Sequence, residues 1–355
     1  MKLPPLPPGA APWRDLILRL AARGFDGWEM ADLFAQPQVS FDPAPMKRKL
    51  WELYRLQFKA DRTRKVQEGL VALGYTPGET DGLAGDNTRR AIKAFQKVHG
   101  LEEDGEPSDE LLSLILADLA LPESRRPSPV KTLVTEPARP QVYSNYLTAA
   151  RLAEAAEFMA AHRDVLTAAE KRYGVPGEFI VGILRVETHF GRYLGRDRAL
   201  VTLASMAACL DFDRIEPFLS PERALDDEER AFMAAKAEEK GQWALEELEA
   251  LLLYARANQM DPLALPGSIY GAIGLGQFMP TNALKFGADG DGDGRVDLFG
   301  LADAIHSIGA YFQGHGWEGD MSSLEKQKRV LYEYNRSTPY VNTVLAVAHH
   351  LTSRK

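Results

Sequence analysis

Asp289, Asp291 and Asp293 alternate with glycine in the run Asp289-Gly290-Asp291-Gly292-Asp293-Gly294-Arg295-Val296-Asp297. Acidic side chains at alternate positions, closed by a glycine, are what an oxygen cage for a hard cation requires. In the pattern D-x-[DN]-x-[DN]-G, the first, third and fifth residues supply carboxylates and the glycine makes the sharp turn. The seventh residue, here Arg295, supplies its backbone carbonyl. The run departs from that pattern at position twelve, where Gly300 stands in place of a glutamate, and the next acidic side chain is Asp303. The expectation is an EF-hand-like loop, longer than the standard one. It would hold a structural Ca²⁺ with Asp289, Asp291, Asp293, the Arg295 carbonyl and Asp303. A solvated acidic turn is the alternative, since Asp-Gly pairs form turns readily, but three spaced aspartates with the glycine favour the metal.

A second candidate lies in Val175-Pro176-Gly177-Glu178-Phe179-Ile180-Val181-Gly182-Ile183-Leu184-Arg185-Val186-Glu187-Thr188-His189-Phe190-Gly191. The early proline and Glu178 suit a first helical turn, and Gly191 suits an ending. Ile180, Ile183, Leu184 and Glu187 fall at i, i+3, i+4 and i+7, so Glu187 shares the apolar face and points inward. Burial disfavours its ionised form, and the negative end of the helix dipole pushes the same way. A carboxylic acid that stays protonated near neutral pH can serve as a general acid for glycosidic cleavage. A buried Glu paired with an arginine from another helix fits this spacing equally well.

These groups must be positioned by a chain of 355 residues with 45% hydrophobic and 26% charged residues, enough for two or three globular domains. The net charge of −8 argues against a sequence-independent nucleic-acid binder, which carries a basic stripe. One cysteine, Cys209, permits neither an intramolecular disulfide nor a cysteine metal site. No apolar run reaches the ~18 residues of a membrane span. The opening Met1-Lys2-Leu3-Pro4-Pro5-Leu6-Pro7-Pro8 has no signal-peptide core, so either the chain is cytoplasmic or a leader has been removed. His99, His162, His189, His306, His315 and the His349-His350 pair lack metal-ligand spacing and take surface or core roles. The charged run Asp226-Asp227-Glu228-Glu229-Arg230 reads as a solvated helix start.

Pro122, Pro127, Pro129, Pro137 and Pro140 mark residues 122–142 as an extended linker. Upstream, Val66, Leu70 and Leu73 make one helical stripe, Ala91, Phe95 and Val98 a second, and Leu111, Leu114 and Ile115 a third. Three short helices imply a small bundle. Two Asp-Gly turns, Asp81-Gly82 and Asp104-Gly105, each precede a helix, with Asp86 or Asn87 as cap in one case and Ser108 in the other. They read as a weak internal repeat. With Gln67, Leu73-Gly74-Tyr75, Gly85, Thr88, Phe95-Gln96 and Gly100-Leu101, residues 61–121 resemble the peptidoglycan-binding domain appended to bacterial wall hydrolases.

Downstream, Tyr173-Gly174-Val175-Pro176, Val186-Glu187-Thr188, Phe190-Gly191, Gly267-Ser268, Gly271-Ala272, Gly274-Leu275 and Gln277-Phe278-Met279-Pro280 follow one another. The aspartate loop comes next, then Asp303-Ala304-Ile305, Tyr311, His315-Gly316-Trp317, Tyr334-Asn335-Arg336-Ser337 and Tyr340. In this order the set resembles the catalytic domain of the membrane-bound lytic transglycosylase B family over residues 143–355. The stretch 210–245 is longer and more charged than that pattern. Trp13, Leu16, Ile17, Leu20 and Arg23-Gly24-Phe25 are similar to the opening of the same domain, which would make residues 1–60 part of it and the binding module an insertion.

The resemblance implies a mostly α protein: a lysozyme-like helical catalytic domain with the EF-hand-like loop, plus a small three-helix peptidoglycan-binding domain. It implies cleavage of the bond between N-acetylmuramic acid (MurNAc) and N-acetylglucosamine (GlcNAc), with Glu187 as acid and then base. The MurNAc C6 hydroxyl attacks its own anomeric carbon and leaves a 1,6-anhydro end, so no second catalytic carboxylate is needed. Ser268, Gln277, Tyr311, Tyr334, Asn335 and Tyr340 match groove positions that hold the sugars. The implied partner is a peptidoglycan strand, and the implied location is the periplasm or cell envelope. A muramidase using water at Glu187 and a non-catalytic wall-binding protein are the competing functions.

Overall fold

Apolar residues recur at helical spacing along most of the chain, and the regular elements of the computed structural model are almost all helices. It describes residues 6–129, 142–219, 224–318 and 323–353. In chain order the first six helices are α1 (Arg14–Ala22), α2 (Gly27–Phe34), α3 (Ala44–Tyr54), α4 (Ala60–Ala72), α5 (Asp86–Val98) and α6 (Asp109–Ala120). They are followed by α7 (Ala149–Ala161), α8 (Arg163–Tyr173), α9 (Gly177–Thr188), α10 (Ala199–Ala207), α11 (Glu216–Leu219) and α12 (Asp227–Ala257). The last four are α13 (Pro280–Phe286), α14 (Leu301–Gly314), α15 (Leu324–Tyr334) and α16 (Thr338–Thr352). Two short strands, β1 (Asp197–Arg198) and β2 (Pro266–Gly267), pair antiparallel with Asp197 opposite Gly267. Residues Met1–Lys47, Pro140–Ser220 and Ala237–Lys355 form one unit, and Arg48–Arg139 with Pro221–Lys236 form another. Much of the expected linker 122–142, with Pro137 and Pro140, lies outside the described residues, as do residues 1–5.

In the smaller unit the three expected stripes fall on α4, α5 and α6. Val66, Leu70, Leu73, Ala91, Phe95, Leu111 and Ile115 are buried together, with Leu114 packed against them. Gly69 sets the approach of α6 to α4: a Cβ there would stand 2.4 Å from Ile115 Cγ2. The internal repeat is realised as two copies of one clasp. Buried Gln67 accepts the Gly82 N–H at 2.9 Å and donates to Asp81 at 3.3 Å. Buried Gln96 likewise accepts the Gly105 N–H at 3.0 Å and donates to Asp104 at 2.6 Å. Each aspartate also accepts the N–H two residues on, from Leu83 at 2.8 Å and Glu106 at 2.9 Å. Both glycines are left-handed, with φ of 83° and 75°, a conformation that favours glycine.

Ser108 caps α6 as expected, accepting the Leu111 N–H at 3.1 Å. The expected cap of α5 is corrected: Gly85 occupies the cap position without a side-chain bond, and Asp86 and Asn87 lie in the first turn. The charged run at the start of α12 holds a reciprocal capping box. Asp226 accepts the Glu229 N–H at 2.9 Å, and Glu229 accepts the Asp226 N–H at 3.0 Å. Glu229 is buried and takes the Tyr54 hydroxyl at 2.5 Å, so this helix start is not wholly solvated.

The larger unit is organised on α9, which is buried nearly from end to end. Phe179, Ile180, Val181, Ile183 and Leu184 are in its core, and burying each large apolar side chain stabilises by ~1.5–3 kcal/mol. Helix α16 packs along α9, with Gly182 under Val344: a Cβ would meet Val344 Cγ1 at 3.1 Å. In the N-terminal segment Trp13, Leu16, Ile17 and Leu20 are buried, as their spacing predicts. The segment is held within this unit by aromatic and polar contacts. Trp13 packs on Phe34, centroids 5.3 Å apart, the Arg214 guanidinium lies 4.8 Å from the Phe41 ring centre, and the Asp42 N–H donates to Ser205 Oγ at 3.0 Å.

Candidate active site

Helix α9 delivers Glu187 one residue before its end. The expected limits shift slightly: Pro176 is the cap residue, and the helix closes at Thr188, short of Gly191. The chain then turns through three left-handed residues, His189 (φ 55°), Phe190 (φ 60°) and Gly191 (φ 85°). For a non-glycine residue that conformation costs ~1–3 kcal/mol and persists where the surroundings over-determine it. Here the Phe190 N–H donates to the Leu184 carbonyl at 3.0 Å, and its ring stacks on Phe158, centroids 4.1 Å apart. The Thr188 hydroxyl donates to the Leu275 carbonyl at 2.8 Å and accepts the Gly191 N–H at 3.1 Å. Thr188, next to Glu187, is thus tied to residues 271–276 through Leu275.

The Glu187 carboxyl is withdrawn from water, yet the residue keeps part of its surface on a cavity of about 320 Å³. Burial pushes its pKa up to about 7, and the Tyr340 hydroxyl, donating to Oε1 at 2.6 Å, pulls the other way. Tyr340 and Tyr334 are raised well above the ordinary tyrosine range, first by burial and then by the Glu187 charge, so both hydroxyls remain donors. Tyr334 donates to the Gly276 carbonyl at 2.5 Å. Burial likewise raises Tyr311 to about 12, and its hydroxyl donates to the Glu333 carbonyl at 2.8 Å. Of the two arrangements left open for Glu187, the residue has a tyrosine partner and no arginine ion pair among the described residues.

The expected sugar-holding residues are only partly brought together. Tyr340 touches Glu187, while Gln277, Tyr311 and Tyr334 line a smaller cavity of about 60 Å³ with Phe278, Met279 and Asn282. Gln277 is itself left-handed, with φ of 50°, and its amide donates to the Gly274 carbonyl at 3.0 Å. Ser268 Oγ accepts the Tyr270 and Ala272 N–H groups at 3.2 and 3.1 Å, a turn-forming arrangement. Asn335 ends α15 and is exposed.

Sequence reasoning missed most of the residues around Glu187. Asn145, Tyr146, Arg151, Arg185, His189 and Tyr193 line the cavity with it. Arg185 carried a signal, as the one basic residue inside an apolar helix, but its partner, Glu154 on α7, could not be read from spacing. Glu154 meets Arg192 at 2.7 Å, Arg185 at 3.1 Å, His189 at 3.4 Å and Arg151 at 3.5 Å. Burial works to raise the Glu154 pKa, but Arg185, His189, Arg192 and Arg151 outweigh it and hold the carboxyl below its usual range. Burial, followed by the charge of Arg185, lowers the pKa of His189.

The aspartate loop lies between α13 and α14. Asp289, Asp291 and Asp303 each place a carboxylate oxygen within 4.8 Å of the others. Asp303 is buried and accepts the Gly290 and Asp297 N–H groups at 2.7 and 2.6 Å. Asp289 accepts those of Gly294 and Gly292 at 2.9 and 2.6 Å, which lower its pKa. Asp293 is outside this trio and accepts the Arg295 N–H at 2.8 Å, while the Arg295 side chain reaches Gln259 at 3.0 Å. Oxygen donors of this kind suit a hard cation.

The family described as the transglycosylase SLT domain matches residues 118–328 of this chain, more than half its length. The chain belongs to this transglycosylase SLT family. A putative peptidoglycan binding domain also matches, at residues 59–115. Membrane-bound lytic murein transglycosylase B of Escherichia coli (strain K12) is 33% identical over 247 residues, 67% of this chain and 60% of that protein. The chain therefore spans about 60% of the length of this curated relative. Among solved structures, Pseudomonas aeruginosa SltB3 in complex with NAG-NAM-pentapeptide gives a TM-score of 0.52 at 17% identity, covering 98% of this chain and 80% of that one. The Escherichia coli lytic transglycosylase Slt35 in complex with calcium gives 0.48 at 23% identity, covering 76% and 93%. The transglycosylase SLT match takes in α7 to α14, and hence Glu187 and the aspartate loop.

Proposed function

We propose that this chain is a peptidoglycan lytic transglycosylase, cleaving the β-1,4 bond between MurNAc and GlcNAc to leave 1,6-anhydro-MurNAc ends. The observation that carries the reading is the Glu187 carboxyl, held on a cavity by Tyr340 with a pKa of about 7. A carboxyl of that pKa keeps a transferable proton near neutrality and can take one back. Glu187 gives its proton to the glycosidic oxygen as the C1–O bond breaks. The resulting carboxylate then accepts the proton of the MurNAc C6 hydroxyl as O6 bonds to C1, so the acid is regenerated without water. Among the described residues lining the cavity, Glu187 is the single carboxylate, whereas hydrolysis by a paired mechanism uses two. Gln277, Tyr311 and Tyr334, with Ser268 and Asn335 further out, are proposed to hold the sugar and acetamido groups, and Tyr340 to orient the acid.

The same reading assigns wall retention to residues 61–121 and counts residues 1–60, of which Met1–Lys47 fall in the larger unit and the rest in the smaller, with the catalytic domain at 143–355, joined through the linker. It gives Asp289, Asp291, Asp303, Asp293 and the Arg295 carbonyl a structural Ca²⁺, and places the protein at the cell envelope. Among the described residues, no helix is long and apolar enough to cross a membrane. Mass analysis of sugars released from purified sacculi tests the function. The expected products are one water lighter than those of a muramidase, and reducing MurNAc ends alone would overturn the reading in favour of hydrolysis. Absence of any release would favour a wall-binding role.

A further inference from the structure

The basic cluster behind Glu187 is out of balance. Three guanidiniums, of Arg151, Arg185 and Arg192, converge on the single carboxylate of Glu154, and among the described residues no other acidic group pairs with them. Glu154 satisfies one unit of charge, so two remain. Arg185 is 1% exposed, and none of its three guanidinium nitrogens has a hydrogen-bond partner beyond the 3.1 Å ion pair to Glu154. Its Cζ lies 5.4 Å from the Phe190 ring centre. A buried cation without full compensation is expensive unless something anionic faces it. Arg151 and Arg185 both line the cavity that holds Glu187, whereas Arg192 is more than half exposed beside it. His189 supplies no negative charge to offset the arginines, and burial and Arg185 favour its neutral form.

We propose that this cavity takes a carboxylate of the substrate, with Arg151 and Arg192 making the contacts and Arg185 supplying the field from behind. The proposal rests on the transglycosylase reading for its choice of ligand. MurNAc differs from GlcNAc by a lactyl arm on O3, which ends in a free carboxylate on strands without peptides. On strands with peptides the lactyl carboxyl is an amide, and the free carboxylates belong to the stem. The chemistry is shared: an anion tethered to the sugar whose anomeric carbon faces Glu187. A pocket that recognises it fixes which of the two alternating sugars sits beside the acid. That choice matters because cleavage on the other side of MurNAc would not leave an anhydro-muramyl end.

The test is binding to the full chain carrying Glu187→Gln, so that no ligand is consumed. Four probes are titrated: peptide-free glycan tetrasaccharides with free or amidated lactyl carboxyls, and tetrapeptide-bearing ones with free or amidated stem carboxyls. A charge-assisted contact is expected to make one of the free forms bind about tenfold more tightly than its amidated partner. The pair that shows the difference identifies the source as lactyl arm or stem peptide. Adding Arg151→Gln and Arg192→Gln, both at partly exposed positions, should erase the difference by weakening the free probes more than the amidated ones. Glu154→Gln should enlarge it, an effect of opposite sign that damage to the fold would not produce. Equal binding of free and amidated probes, or a difference that survives in the double arginine variant, overturns the proposal. A parent protein that releases no anhydro sugar but shows the charge preference would retire the transglycosylase reading and leave this pocket standing.

Discussion

The Tyr340 hydroxyl donates to Glu187 Oε1 at 2.6 Å, and this contact joins the first turn of α16 to the last turn of α9 at the acid itself. Two opposed effects set the proton affinity of Glu187. Burial raises it and is the larger, while the tyrosine hydrogen bond stabilises the carboxylate and lowers it. On the proposed mechanism Glu187 starts protonated, so kcat/KM on soluble glycans should fall as pH rises through about 7. Tyr340→Phe removes the lowering contribution, so the falling limb should move to higher pH while kcat drops by about tenfold through lost orientation. A limb that stays in place, or moves to lower pH, would show that this hydroxyl does not tune the acid.

Glu187→Gln should abolish cleavage and stabilise the fold, with a definite pH signature. The folded pKa of about 7 lies above the ordinary value of 4.5. Between those two values the folded chain retains a proton that the unfolded chain has released. The contribution of this group to stability is therefore complete below ~4.5 and lost as pH climbs through ~7. At pH 8 the deficit amounts to ~3 kcal/mol at most, because each tenfold gain in proton affinity on folding is worth about 1.4 kcal/mol. The neutral glutamine does not carry that deficit, so its melting temperature should exceed the parent's at pH 8 and match it at pH 4. Thermal melts at the two pH values check this, and an equal offset at both would mean that the gain has another cause.

What can be read in the sequence follows from the range of the forces involved. Helix periodicity is local, so Val66, Leu70, Phe95 and Ile115 in the small bundle, and Trp13, Ile17 and Leu20 at the N-terminus, are legible as core. The inward face of Glu187 is legible for the same reason. Its partner is not, because Tyr340 is 153 residues away in the chain. Nor is the arginine cluster, because it needs α7 and α9 side by side to bring Glu154 to Arg185. Local turn chemistry announces the two Asp-Gly turns, but the glutamines that clasp them come from the preceding helices and become visible only in three dimensions. His189 escapes sequence reasoning because histidine spacing speaks to metal ligation, whereas here the imidazole sits at a left-handed helix ending against a carboxylate and two arginines.

Calcium should stabilise the chain without entering the chemistry. Asp289, Asp291 and Asp303 offer carboxylate oxygens within 4.8 Å of one another, and Asp303 also braces the loop through two backbone N–H groups. Binding to the folded state alone adds ~2.7 kcal/mol at a hundredfold excess over Kd. The melting temperature should therefore rise with added Ca²⁺, fall with chelator and lose most of this response in Asp291→Ala, whose side chain is exposed and free of a core role. Initial rates at low temperature should change little on chelation. A melting temperature indifferent to both treatments would remove the metal from this loop.

The glutamine clasps offer a way to separate wall retention from catalysis. Gln67 is fully buried and bonds to Asp81, Gly82, Leu83 and Thr88, joining α4 to the first Asp-Gly turn and the start of α5. Gln67→Ala leaves the buried Gly82 N–H without its acceptor, and an orphaned buried donor costs ~1–3 kcal/mol. A small bundle has little stability to spare, since its core is short of apolar area. The smaller unit should then open more often, seen as faster hydrogen exchange at the Gly82 and Leu83 amides, while the amides of α9 exchange as before. If residues 61–121 hold the protein on the wall, sacculus pull-down and turnover of intact wall should fall together, and turnover of short soluble glycans should persist. Linked weak sites raise overall retention above either alone, so the loss on wall should exceed any loss on soluble strands. Equal loss on both substrates would mean that this unit supports the catalytic fold, and undiminished pull-down despite the faster exchange would mean that it does not bind wall.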